Sequence, residues 1–197
     1  SLQFSPDSRQ VTYVAAREPG TSFVVRDGRE GTHYEAIAQD SLRFSSDGKR
    51  LAYIAHTKSR CFVVADGGEG EAHDAVLADS LHFSPNAQRL VYVAGDSGSQ
   101  TAVVDGHSHH PYPGIRTTTV QFSPDSRRVA YVAEVEASRV KLGSGEWLQR
   151  TCVVLDGEEG EPFDNIFGPG LVFDAPDSLH YLARTGSEVY LVEERTS

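Results

Sequence analysis

The sequence predicts an all-β fold: a five-bladed β-propeller of four-stranded antiparallel blades, with the last blade incomplete. Three observations carry this. A unit of about 39 residues recurs five times, each unit reads as short alternating strands between tight-turn signals, and no segment sustains a helical apolar period.

The repeat opens on LQFSPDS around Phe4 and returns as LRFSSDG at Phe44, LHFSPNA at Phe83, VQFSPDS at Phe122 and LVFDAPDS at Phe173. The spacings are 40, 39, 39 and 51 residues. This first strand runs into a Ser-Pro-Asp-Ser turn, in which Pro presets φ and Asp or Gly tolerates the tight bend. The second strand carries Tyr13, Tyr53, Tyr92, Tyr131 or Tyr181 inside an alternating pattern such as RLAYIA. The third reads FVVRDG, FVVADG, AVVDG or CVVLDG, placing Asp27, Asp66, Asp105 and Asp156 before a glycine. Asp-Gly is hairpin chemistry, because Gly accepts positive φ. A short segment, HYEAI, HDAV, YPGI or FDNI, closes four of the five copies as the fourth strand.

One such sheet cannot bury both its faces alone, so copies must stack, and radial stacking leaves only short edges exposed. The expected blades are about 1–39, 40–78, 79–117, 118–168 and 169–197 of a single domain. Two of them are irregular. The fourth holds twelve residues more than 39 in the stretch Glu134 to Arg150, and the fifth ends near Val189 to Val192, a third strand with no fourth after it. Either that blade is three-stranded, or a neighbouring segment or subunit supplies the missing edge, since an unpaired strand edge invites pairing.

FSPDS followed by RRVAYVA resembles the TolB-like, WD-repeat-like propeller family, over the whole chain. The Trp-Asp and Gly-His pairs of WD repeats proper are missing, so the likeness is to the TolB-like side. The resemblance implies a fold and leaves activity open. It implies either a periplasmic or extracellular protein-binding module or the accessory propeller of a larger hydrolase or cell-surface enzyme.

Composition narrows the partners. A formal net charge of −10 repels phosphate backbones, which excludes nucleic acid as the expected ligand. No apolar run approaches the roughly 20 residues of a membrane-spanning helix. Ser1 leads straight into a strand pattern without charged or apolar leader regions, as expected of a processed form or an excised domain. Cys61 and Cys152 sit among β-formers two copies apart, too far around a ring for a disulfide, and read as buried apolar side chains.

No motif for catalysis survives weighing. GDSG at Gly95 to Gly98 matches a protease tetrapeptide but lies between two strands of the third blade, where small residues make a turn. The chain is therefore expected not to be an enzyme and to need no cofactor. His107, His109 and His110 form the only histidine cluster; they read as a polar variant of the Asp-Gly turn, with metal binding as the weaker alternative. Strand alternation sends the first and third turns of every blade to one face, where Arg50, Arg89 and Arg128 are expected to form an inner basic ring inside an acidic rim, either ion-paired within that face or open as a pore mouth for an anionic group. Trp147, the only tryptophan, lies in the insertion and is either a contact residue or a cover for an apolar patch. The expected function is a binding or scaffold module whose loops, the insertion foremost, take a protein or peptide.

Overall fold

A computed structural model describes residues 2–141, 147–168 and 170–195, with the backbone alone over 136–141 and 147–149. Every regular element among them is a strand, and no helix is long and apolar enough to cross a membrane. The chain forms five antiparallel sheets. The first is β1 (Leu2–Phe4), β2 (Val11–Glu18), β3 (Thr21–Arg26) and β4 (Arg29–Tyr34), in that order. The second holds β5 (Ala36–Ile37), β6 (Arg43–Phe44), β7 (Leu51–Thr57), β8 (Arg60–Ala65) and β9 (Gly68–Glu69). The third is β10 (Ala75–Phe83), β11 (Leu90–Asp96), β12 (Ser99–Val104) and β13 (His107–Ser108). The fourth is β14 (Ile115–Phe122), β15 (Val129–Lys141), β16 (Trp147–Leu155) and β17 (Glu158–Glu159). The fifth holds β18 (Asn165–Ile166), β19 (Val172–Ala175), β20 (Ser178–Thr185) and β21 (Glu188–Arg195), with no further strand on β21 among the described residues. By contacts the chain divides into two compact units, 1–97 with 103–107 and 98–102 with 108–197.

The segments read as fourth strands divide in two. Tyr34 ends β4, and His73, Tyr112 and Phe163 bridge to Cys61, Gln100 and Thr151, so the first half belongs to the sheet before it. The second half pairs with the next sheet: Ala36 with His56, Ala75 with Gly95, Ile115 with Ala133 and Asn165 with Arg184. The innermost strand of a sheet therefore starts earlier than the sequence pattern indicates. It is interrupted by a register shift, as between Leu77 and His82 or Arg116 and Gln121.

A buried hydroxyl makes that interruption tolerable. Ser41, Ser80 and Thr119 donate to the carbonyls of Ala38, Leu77 and Arg116 and accept from the amides of Ile54, Val93 and Val132, at 2.6–3.1 Å. Backbone groups left over by the shift are thus satisfied inside the core.

The two repeated turns are specified side chain by side chain. In Ser-Pro-Asp-Ser the serine hydroxyl donates to the aspartate, as Ser5 does to Asp7 at 2.6 Å, and accepts the Gln10 amide at 3.0 Å. Positive φ falls on the residue after the aspartate, or after Asn86 in sheet three, at Ser8, Gly48, Ala87 and Ser126, rather than on the aspartate or asparagine itself. In Asp-Gly both residues have positive φ, 53° and 86° at Asp66 and Gly67, the twist of a type I′ hairpin.

Stacked faces form the core. Val24 and Tyr34 of sheet one cluster with Leu42, Leu51, Tyr53 and Ala55 of sheet two. Ala52, Ile54 and Val63 of sheet two cluster with Leu81, Leu90, Tyr92 and Ala94 of sheet three. Ala130, Val132, Val153 and Leu155 of sheet four cluster with Leu171, Leu179, Tyr181 and Ala183 of sheet five. The repeated tyrosine, as Tyr53, Tyr92 or Tyr181, is a buried member of each cluster.

Candidate functional site

The face carrying the first and third turns holds the residues of interest. The Asp-Gly aspartate binds the start of the second strand: Asp66 accepts the Leu51 amide through Oδ1 at 2.9 Å and the Arg50 Nε through Oδ2 at 2.7 Å. Asp105 does the same for Leu90 and Arg89, and Asp156 for Val129 and Arg128. The expected basic ring is thus a set of arginines each paired with its own sheet's aspartate, because strand alternation puts both turns on one side and the β-ladder brings them adjacent. Arg50 reaches further. Its Nη1 donates to the carbonyls of Ala87 and Gln88 at 3.3 and 2.7 Å, and its guanidinium lies 5.0 Å from the Phe83 ring centre, so it fastens sheet two to the turn of sheet three. In sheet one the corresponding residue is Gln10, and Arg26 takes over, donating to the carbonyls of Gly48 and Lys49.

Between these fasteners lie two grooves at the same repeat positions. One, of about 490 Å³, is lined by Arg50, Val63, Glu69, Gly70, Arg89 and Tyr92. The other, of about 430 Å³, is lined by Arg26, Val24, Glu30, Gly31, Arg50 and Tyr53. Each has an apolar floor with one tyrosine and a rim of both charges. Burial, with Glu71 adding to it, pushes the Tyr92 hydroxyl up to about 12, so it stays a neutral hydrogen-bond donor. Gly31 and Gly70 keep the grooves open: a Cβ at either would stand 3.2 Å from a carbonyl oxygen of the third strand.

Elsewhere the same position is filled. In sheet three it is His109, whose Nδ1 lies 3.2 Å from the Tyr131 hydroxyl. Beside Gly160 the Glu194 carboxylate enters and accepts the Tyr181 hydroxyl at 2.7 Å. His107 and His110 are exposed, His110 lying edge-on to Tyr112. Among the described residues no three His, Cys, Asp or Glu side chains are grouped to hold a metal ion.

The blade-four insertion continues its hairpin. The ladder runs on through Val135 with Arg150 to Val140 with Leu148 and Lys141 with Trp147. The Trp147 side chain lies outside the described residues. Of GDSG, Asp96 binds the buried His73 at 2.5 Å and Ser97 has φ +51°. Burial raises the Asp96 carboxyl, but His73, the Asp74 amide and Arg60 together hold it below its ordinary value. The grooves themselves escaped sequence reasoning, although the glycine four residues beyond Asp27 and Asp66 signalled them.

No family model matches the chain, and no curated protein matches it in sequence. A solved eukaryotic initiation factor is 14% identical over 98% of this chain and 51% of its own, with a TM-score of 0.51. TolB from Acinetobacter baumannii is 12% identical over 100% of this chain and 51% of its own, at 0.45. Acylaminoacyl peptidase from Pyrococcus horikoshii is 14% identical over 95% and 37%, at 0.47. The chain spans about half the length of the first two. These likenesses are of fold alone; the five repeated antiparallel sheets are what make the chain a β-propeller in fold.

Proposed function

We propose that the chain is a non-catalytic binding module, a rigid propeller platform that takes a protein or peptide partner. The observation that supports this reading is the groove of about 490 Å³ between sheets two and three. Val63 and Leu90 give it an apolar floor, Tyr92 a donor, and Arg50, Glu69 and Arg89 a mixed-charge rim. Such a lining suits an extended peptide, whose alternate side chains meet floor and rim in turn. The arginines shape this groove through their own carboxylates rather than by waiting as unpaired cations. The hairpin β15–β16 is the second presenting surface.

A displayed peptide library panned on the chain tests the reading. Enriched peptides should be extended, should alternate apolar and polar residues, and should compete with one another. They should bind Gln88→Trp, an exposed change on the groove wall, at least ten-fold more weakly, roughly the cost of one lost anchor. Peptides that hold Gln88→Trp and a hairpin-shortened variant as tightly as the parent chain would sink the proposal, as would no enrichment.

A further inference from the structure

Sheets one and two, two and three, and four and five stack by one recurring contact in which two different faces meet. The leading face carries residues such as Ile54 and Val63, or Val132 and Val153. The trailing face carries a leucine, the repeated tyrosine and an alanine, as at Leu42, Tyr53 and Ala55. One face of each kind is exposed. On sheet one the trailing face presents Leu2, Phe4 and Tyr13, at 61%, 64% and 36% exposure, whereas Leu42 and Tyr53 in the same register are 0% and 5%. On sheet five the leading face presents Leu182, Val189 and Leu191, at 47%, 58% and 60%, whereas Ile54, Cys61 and Val63 are 1%, 3% and 3%. Large apolar side chains grouped on one exposed face mark an interaction surface.

Charge identifies the occupant. Between sheets two and three, Arg60 at the start of β8 pairs with Asp96 at the end of β11, 3.5 Å away. Register puts Glu188 of sheet five in the place of Arg60, since Arg60 pairs with Thr57 and Glu188 with Thr185. Arg17, four residues after Tyr13, stands in the place of Asp96, four after Tyr92. The same ion pair is therefore available with its signs exchanged, carboxylate on sheet five and guanidinium on sheet one. In the single chain Arg17 pairs with the exposed Glu30 at 3.0 Å and lies 5.8 Å from the Phe23 ring centre. Glu193 likewise holds the register of Arg26, which reaches the turn of the next sheet, and the turn of sheet one carries the exposed Arg9.

We propose that the leading face of sheet five docks on the trailing face of sheet one of a second copy of this chain, so that copies associate head to tail. The contact is heterologous, with two unlike patches, and it adds one more stacked pair to those already inside the chain. The peptide groove lies on neither patch, so the two proposals stand or fall separately.

Light scattering and sedimentation on the full chain provide the test. Mass should rise with concentration. Phe4→Asp and Leu191→Asp, both at exposed positions, should each be monomeric while keeping the parent circular dichroism and urea midpoint. Mixed in equal amounts, they should form a dimer and nothing larger, because one compatible pair of faces remains. Arg17→Glu should weaken association roughly ten-fold or more through like charges, and adding Glu188→Arg to the same chain should restore it. A parent chain that stays monomeric at every concentration would overturn the proposal, as would self-association of either blocked variant alone. A mixture that fails to pair would do the same, and any of these results would assign the two faces to another occupant, such as further repeats of a longer polypeptide.

Discussion

Replacing Asp66 by alanine removes the carboxylate that ties the Asp-Gly turn of sheet two to its second strand. Three losses add up. The Leu51 amide loses a charged acceptor at 2.9 Å; such bonds contribute about 1.5–3 kcal/mol, and the lower end applies because the Asp66 side chain is 40% exposed. The ion pair to Arg50 is worth roughly 0.5 kcal/mol at that exposure. Alanine at φ +53° costs about 1 kcal/mol more than aspartate, which visits that region readily. The expected loss is about 3 kcal/mol, which for a chain of this size lowers the melting temperature by roughly 6–12 °C. Asp66→Asn keeps an acceptor and the left-handed conformation and should cost only about 1 kcal/mol. Asp66→Gly removes the strain but not the lost bonds and should fall between them. Urea unfolding followed by far-ultraviolet circular dichroism measures all three. Equal losses for the three substitutions, or an alanine cost below about 0.5 kcal/mol, would refute the assignment of the carboxylate as the strand clamp.

Ser80→Ala should cost about 2–4 kcal/mol in the same assay, because it strands the Val93 amide and the Leu77 carbonyl in the core. Ser80→Thr should cost far less, since Thr119 already fills the equivalent place; equal costs would refute the bridging role. Asp7, Asp47 and Asp125 are held below their ordinary value of 3.8, first by the hydroxyls of Ser5, Ser45 and Ser123. Groups with depressed values stabilise above the unfolded value and lose that contribution as they are protonated, so stability should drop as pH falls below about 4. Asp125→Asn should flatten that drop in an acid titration, and an unchanged profile would count against the turn carboxylates. Burial, then Glu159 and Glu194, pushes the Cys152 thiol up to about 12, and burial raises Cys61 too. Neither should react with a thiol reagent except at the rate of unfolding, whereas fast labelling of the folded chain would show the thiols are accessible.

The architecture was legible because it is written five times. Phe, Tyr and Asp-Gly at fixed offsets fix strand, core and turn, and a repeat reports its own register. The failures were of two physical kinds. The HYEAI-type segments alternate like one strand, yet the chain bends at Glu35 or Asp74 and hands the second half to the next sheet, a partition that depends on which neighbour offers free backbone groups. Ser41, Ser80 and Thr119 look like turn polarity in sequence and are buried bridges in the fold. Arg50, Arg89 and Arg128 were read as a same-face set that is either ion-paired or an open pore mouth, and the structure pairs each with the Asp-Gly aspartate of its own sheet; which acid it meets is visible only after the sheet has brought positions sixteen or more residues apart together.

Where function resides follows from how the repeats differ. The fold needs Leu51, Tyr53, Asp66 and their counterparts, so those positions are held alike and carry no information about a ligand. The position beside the repeated tyrosine is not needed for stacking, and it varies: glycine at Gly31 and Gly70, His109 in sheet three, and a carboxylate from Glu194 beside Gly160. Where a side chain fills the position, the tyrosine hydroxyl is already engaged, by His109 at Tyr131 and by Glu194 at Tyr181. Tyr92 instead faces an open groove with a proton it keeps at neutral pH. Of the two copies left open by Gly31 and Gly70, the one at Gly31 has its Tyr53 hydroxyl engaged by Tyr34, and that difference, rather than the arginines common to the blades, is what sets apart the groove between sheets two and three.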